Sequence, residues 1–362
     1  MKKRDIEKSI SIYERVCTII EESRNRALYA VNTEMVRAYW LIGREIVEEE
    51  QRGKKQAKYG LFLINELSLR LTAEVGKGFT ETNLKYMRQF YLVYPELHTV
   101  RKESEKSHAM RDEFPRLNAV RSKLTWTHYR FLLKVDNPDA RSFYEIECVN
   151  NHWSTRELER QMSSLLFERL ALSKDKKGLL RLAKKGQEIQ KSDDLIKDPY
   201  ILEFAGLKEE PSLRETTLEN ALIEHLKEFI LELGKGFSFV ARQKRITLES
   251  DHFYIDLVFY NRLLRCFVLI DLKVGRLLHQ DLGQMQMYVN YYDREMRQEG
   301  ESHPIGIVLC TDKNDAVVRY TLPGGERQIF ASKYKFYLPT KKELVAELKK
   351  ERSLLEHNKR LK

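Results

Sequence analysis

"YIDLVFYNRLLRCFVLIDLKVG", residues 254–275, contains two apolar, strand-like runs, each with one aspartate near its middle. A carboxylate between Ile255 and Leu257, or one directly after Phe267 to Ile270, must shed much of its hydration, and an isolated buried charge is strongly unfavourable. Something has to compensate both. Period-two alternation puts Tyr254, Asp256 and Val258 on one face of the first run, and Phe267, Leu269, Asp271 and Lys273 on one face of the second. In a hairpin, two carboxylates and one ammonium then converge. A two-residue turn at Asn261 and Arg262 would set Asp256 opposite Phe267, so convergence requires a longer loop centred near Leu263 and Leu264, or a bulge.

Converging acids repel unless a cation shares them, and hard oxygen ligands suit Mg²⁺ or Mn²⁺. The chemistry that follows is phosphodiester hydrolysis: the metal polarises a phosphoryl oxygen and acidifies a bound water, while Lys273 orients the nucleophile or stabilises developing charge. The plainer alternative is a solvated sheet face on which Asp256 and Asp271 form ion pairs with Lys273 and Arg245.

Around this stretch the chain reads as α+β with two domains. Residues 1–172 are helical: Ile6, Ile10, Tyr13, Val16 and Ile20 keep helical spacing, as do Leu28, Val31, Met35, Ala38, Ile42 and Ile46, predicting two amphipathic helices. Residues 95–122 are charged and aperiodic, as in an exposed loop. Asn137 followed by Pro138, and Ser154 with Glu157, mark two further helix starts. A basic, weakly periodic linker covers 173–198. The second domain, 199–345, begins with the helix "TTLENALIEHLKEFILELGKG" and continues as three strands, a helix and a strand, giving a mixed sheet flanked by helices. A helical tail covers 346–362.

With 64 Lys and Arg against 54 Asp and Glu, the chain carries a formal net charge of +10, which favours an anionic partner. No apolar run reaches the length of a spanning helix and no signal-peptide core is present, so a cytoplasmic protein without a membrane partner is expected. The four scattered cysteines, Cys17, Cys148, Cys266 and Cys310, form no CxxC pair and predict neither a zinc ribbon nor a disulfide framework.

"IDLVFYN" and "LIDLKVG" together resemble the PD-(D/E)XK nuclease superfamily, in which an aspartate on one strand and an acid-x-lysine on the next hold the metal. "GQMQMY" is similar to the Gln-x-x-x-Tyr motif of the branch related to the RecB nuclease domain, which sets Gln284 and Tyr288 one turn apart. The proline that usually precedes the first aspartate is Ile255 here. Over nearly the whole chain, "GKGFTETNLKYMRQFY", "LTWTHYRFLL", "RSFYEIE", "WSTRELERQM" and "LELGKGFSFVARQKRI" resemble the YhcG-type family, which pairs a helical N-terminal domain with a C-terminal restriction-endonuclease-like (PD-(D/E)XK) domain. The resemblance implies Asp256, Asp271, Lys273 and Gln284 as catalytic residues. It also implies an acid on the helix before the sheet as a further metal ligand. Glu219, Glu224, Glu228 and Glu232 compete for that place, and Glu219, beside the apolar stripe, is chosen. Gln243 and Tyr288 are expected at the nucleic-acid rim, and His279 as a surface or substrate-facing residue.

"INELSLRLTAEVGKGFTETNLKYMRQFY" has the layout of a helix-turn-helix or winged-helix-like segment, with Asn83, Lys85 and Arg88 as candidate DNA contacts; an αα-hairpin in a bundle reads equally well. Trp40, Trp126 and Trp153 are expected as core anchors. The leading expectation is a Mg²⁺- or Mn²⁺-dependent nuclease acting on DNA, with protein partners in repair or defence and a homodimer through the N-terminal helices. No RNA-binding motif separates RNA from DNA as substrate. The alternative from another class is a non-cleaving nucleic-acid-binding or complex-assembling protein with a nuclease-like fold.

Overall fold

The computed structural model describes residues 3–52, 57–95, 124–171, 176–210, 212–313, 315–321, 328–340 and 342–343. The loop expected over 95–122 lies outside them except for Pro95, and the tail expected over 346–362 lies outside them entirely. The chain divides into two compact units, Met1–Glu159 and Arg160–Lys362. No helix among the described residues is long and apolar enough to cross a membrane.

The first unit is all helix. The two helices expected before Ile46 are one, Lys3–Arg52, because neither glycine nor proline interrupts "EESRNRA" at 21–27, and Glu and Arg favour helix. The helix Ala57–Glu74 follows, then a turn in which Gly76 and Gly78 take φ values of 106° and 127°, open only to glycine without strain. Thr80 caps the next helix, Glu81–Val93, accepting a hydrogen bond from the Asn83 N–H at 3.3 Å. This helix buries Leu84, Met87 and Phe90, in part against the long first helix. Trp40 and Trp153 are buried, and Trp126 sits between the rings of Tyr39 and Phe90, so all three anchor the core as expected.

Gly43 makes the crossing of Lys3–Arg52 and Glu81–Val93 close. A Cβ there would collide with the Met87 carbonyl, a backbone atom that cannot swing aside. Gly43→Ala is therefore expected to destabilise the protein by about 1–3 kcal/mol despite alanine's better helix propensity. Urea unfolding of the two proteins checks this, and an unchanged or higher midpoint would show that the helices can part at no cost.

The second unit is built on a six-stranded sheet in the order β1-β6-β5-β4-β3-β2. The strands are β1 (Tyr200–Ile201), β2 (Phe237–Leu248), β3 (Asp251–Asn261), β4 (Cys266–Arg276), β5 (Ile305–Asp312) and β6 (Ile329–Lys335). β2, β3 and β4 form an antiparallel meander, and β5, β6 and β1 add parallel strands. One face packs on the helices Glu215–Glu224 and Leu226–Leu233 through Leu218, Leu222, Phe229, Leu257, Ile270 and Leu272. The other packs on the helix His279–Tyr291 through Leu282, Met285, Val258, Leu269 and Val308. The single helix expected before the sheet breaks at His225 and closes at Gly234, with φ 113°. In the segment expected as a linker, Lys176–Lys185 is helical, and Leu195 and Lys197 are buried.

Candidate active site

Asn261 pairs with Cys266 and Leu257 with Ile270, so four residues, Arg262 to Arg265, close the β3–β4 hairpin around Leu263 and Leu264. That is the longer loop convergence required. Asp256 and Asp271 stand level, one step beyond the last paired rung. There the strands part, and the Asp256 carboxylate fills the opening, accepting a hydrogen bond from the Leu272 N–H at 2.8 Å.

The alternation assumed for β3 fails at this point. Ile255 and Leu257 should share a face, yet Ile255 packs with Val258 and Leu269 while Leu257 packs with Phe259 and Ile270. Opposite Asp256 on β2, Gln243 adopts φ 45°, a left-handed conformation costly for a residue with a side chain. Its Nε2 donates to Asp256 Oδ1 at 2.9 Å and to Glu219 Oε2 at 2.7 Å. Both Asp256 oxygens are thus held by the protein, and Gln243 bridges two acids on different elements.

Asp271 is 2% exposed. Burial first, and the neighbouring Asp256 charge second, push its carboxyl up to about 7. Lys273 Nζ lies 3.0 Å from Asp271 Oδ2, but not in a hydrogen-bonding direction, so this buried oxygen has charge compensation and no donor. For Lys273 burial acts downward, but Asp271, Glu215 and Asp256 outweigh it and raise the ammonium's pKa overall. Lys273 stays protonated at neutral pH. As an ammonium it can neutralise or orient.

Of the competing glutamates, Glu219 is buried and reaches the site through Gln243, with Arg242 Nε at 2.5 Å from its other oxygen. Glu224 is exposed, Glu228 half-buried, and Glu232 belongs to a separate buried ion-pair network. The sequence reading missed Glu215, at the start of the same helix. Its Oε2 lies 3.7 Å from Lys273 Nζ, and its Oε1 accepts from the Val274 N–H at 3.3 Å. The chain signal was weak, since Glu215 stands among exposed polar residues outside the apolar stripe.

The remaining candidates divide. Gln284 donates to the Tyr288 hydroxyl, which donates to the Tyr254 carbonyl at 2.8 Å. Tyr288 has no exposed surface, so the expected rim contact with DNA is corrected: its hydroxyl ties the helix to β3. In the first unit, Asn83 is likewise corrected as an outward reader. Its side chain donates to the Gly78 carbonyl at 2.5 Å and accepts from Trp126 Nε1 at 2.8 Å. Arg88 is held by Glu50 at 2.7 Å, while Lys85 is exposed and pairs with Glu81 at 3.2 Å. His279 is exposed.

Among the described residues no three His, Cys, Asp or Glu side chains form a ready metal cluster. Two carboxylates nevertheless suit Mg²⁺, which keeps several waters and takes only one or two protein carboxylates beside substrate phosphate. The buried Asp271 Oδ2, which accepts no hydrogen bond, is the atom that fits such an ion, since both Asp256 oxygens already accept bonds from the protein.

A family model described as the YhcG PDDEXK nuclease domain matches residues 193–350, and one described as the DUF1016 N-terminal domain matches residues 15–169. A curated protein of Escherichia coli (strain K12), "Putative nuclease YhcG", is 39% identical over 357 residues, covering 95% of each chain. Two solved structures are also similar. "Crystal structure of a repair endonuclease from Pyrococcus abyssi" has a TM-score of 0.25 at 18% identity, over 36% of this chain and 50% of its own. "Structure of EndoMS-dsDNA2 complex" has a TM-score of 0.26 at 20% identity, over 36% and 48%. Likeness this slight bears on neither fold nor function.

Proposed function

Because the chain belongs to the YhcG family of PDDEXK nucleases, we propose that it hydrolyses phosphodiester bonds of DNA with a divalent cation, Mg²⁺ or Mn²⁺, held by Asp256 and Asp271. The observation that carries this reading is the buried Asp271 oxygen without a donor, level with a second carboxylate and beside an ammonium. When bound, the cation supplies Lewis acidity toward the phosphate and a more acidic water. The protein's part is orientation and charge. Gln243 and the Leu272 N–H fix the Asp256 carboxylate, and Glu219 stands behind Gln243 as the proposed third acid. Lys273, kept protonated by its acidic neighbours, stabilises charge developing on the phosphoryl oxygens. Gln284 lines the side formed by the helix His279–Tyr291, and Lys85 gives the first unit an exposed cation for phosphate.

The test incubates the protein with single-stranded, duplex and branched DNA and with RNA, in Mg²⁺, Mn²⁺ or EDTA. Cleavage of at least one DNA that EDTA abolishes is expected. Cleavage that persists in EDTA would remove the cation from the reading. Binding to DNA with steep salt dependence and no cleavage in any metal would favour the non-cleaving alternative.

A further inference from the structure

The long first helix carries an apolar seam that none of the described residues of the first unit covers. Tyr13, Val16, Ile20, Leu28, Val31 and Met35 are 71, 47, 44, 62, 59 and 40% exposed. A soluble chain seldom leaves this much contiguous aliphatic and aromatic surface in water. Ile12, Ile19 and Tyr29, at 54, 60 and 40% exposed, widen this surface, and one line through it is regular. Tyr13, Cys17, Ile20, Arg24, Ala27 and Val31 alternate spacings of four and three, the heptad rhythm by which one helix packs against another. It lies in the helix Lys3–Arg52. From Ile12 to Met35 that helix runs about 36 Å at 1.5 Å per residue.

The seam is also self-complementary. About a midpoint at Glu22, Tyr13 and Val31 stand at equal distances, as do Val16 and Leu28, Cys17 and Ala27, and Ile20 and Arg24. Turned end for end, the helix therefore presents the same spacing of contact positions, with Arg24 exchanged for Ile20, which a two-fold interface can use. Charge selects the same direction. Residues 12–23 hold three carboxylates, Glu14, Glu21 and Glu22, against one guanidinium, Arg15. Residues 24–35 hold two guanidiniums, Arg24 and Arg26, against one carboxylate, Glu34. Antiparallel packing sets the acidic half against the basic half, whereas parallel packing sets like on like. Arg24, the charge within the seam, comes beside the partner's Glu21, and a lone charged residue in a seam fixes register.

We propose that this face docks a second copy of the chain, the two Lys3–Arg52 helices running antiparallel about a two-fold axis near Glu22. The dimer brings two nuclease domains into one particle, and its formation does not depend on their chemistry.

Sedimentation of the full-length protein tests the proposal. A dimer is expected for wild type, and Ile20→Asp and Val31→Asp are each expected to yield monomer with unchanged circular dichroism. The exposed positions of both residues keep the variants foldable. Direction is read by mild oxidation, since Cys148, Cys266 and Cys310 are buried and Cys17 alone is partly accessible. Wild type is expected to stay uncrosslinked, while Ala27→Cys forms a covalent dimer through the partner's Cys17. A monomeric wild type, a dimer indifferent to both aspartates, or a Cys17-linked wild-type dimer would each overturn the proposal.

Discussion

Asp271→Asn is expected to lower DNA cleavage by roughly 10³-fold or more, because it removes the charge of the one buried oxygen left open for a cation. The same change should make the metal-free protein more stable at alkaline pH. Burial, and then Asp256, raise the Asp271 carboxyl from 3.8 to about 7. The native state therefore holds this proton more tightly than the unfolded chain, and the metal-free wild type loses stability as pH rises from about 4 to about 7. Asparagine carries no such cost, so the variant should gain on the order of 2–4 kcal/mol over wild type at pH 8 and little at pH 4. A cation replaces the proton, so wild-type Mg²⁺ affinity should rise through neutral pH with release of a proton. Calorimetry in buffers of different ionisation heat measures that release. Cleavage by Asp271→Asn near the wild-type rate, or equal pH dependence of stability in the two proteins, would refute the assignment.

The second large effect concerns stability away from the site. Glu232 is fully buried. Burial alone would raise its carboxyl, but Arg169, Lys197 and Arg160 overcome that and hold it at about 2. Arg169 donates to Glu232 Oε1 at 2.5 Å, to the Pro199 carbonyl at 3.0 Å and to the Ser164 carbonyl at 2.9 Å. The Ile201 N–H donates to the same glutamate at 3.0 Å, which ties β1 to the helix Leu226–Leu233. Arg169→Met would take from the buried carboxylate its fully buried cation, leaving Arg160 Nη1 at 3.3 Å, and is expected to cost about 3–5 kcal/mol. Since the folded pKa lies below the unfolded one, the network's stabilisation is present above about 4.5 and disappears as pH falls through about 2. Pairing Arg169→Met with Glu232→Leu should recover much of the loss in urea unfolding. A single variant as stable as wild type would mean that water reaches Glu232.

Much of this architecture is legible in the chain because its elements are locally determined. The apolar runs give the order of three strands, a helix and a strand, and of the two ways for Asp256 and Asp271 to meet, a longer loop or a bulge, the chain uses the loop around Leu263 and Leu264. Long-range contacts are where reading by pattern stops. Nothing in "ARQKRI" announces that Gln243 leaves the β region, because alternation is an assumption about regular strands. Asn83 looks like an outward polar residue until Trp126, 43 positions later, takes its oxygen. Tyr288 falls on the face with Gln284 by helical spacing, but only the fold shows that β3 closes over its hydroxyl. The helix Lys3–Arg52 reads as two because the polar stretch 21–27 separates its two apolar runs, whereas a backbone hydrogen-bond ladder continues through polar residues.

The change of face at Asp256 has a mechanical meaning. Beyond that residue β3 has left β4 and runs on with β2 alone as far as the Leu248 and Asp251 pair, a two-stranded arm of about 20 Å at 3.3–3.4 Å per residue. The arm's root is wedged between two hydrophobic layers, and Asp256 with Gln243 forms the pivot between arm and sheet. The arm is also anchored short of its tip, since Ile246 is buried in the helix-side core and the Tyr288 hydroxyl donates to the Tyr254 carbonyl, so the exposed Thr247 to His252 tip begins beyond that anchorage. The strand that carries Asp256 thus answers to both layers at once, and the aim of its acid is set by the packing of Ile255 and Leu257 on opposite sides.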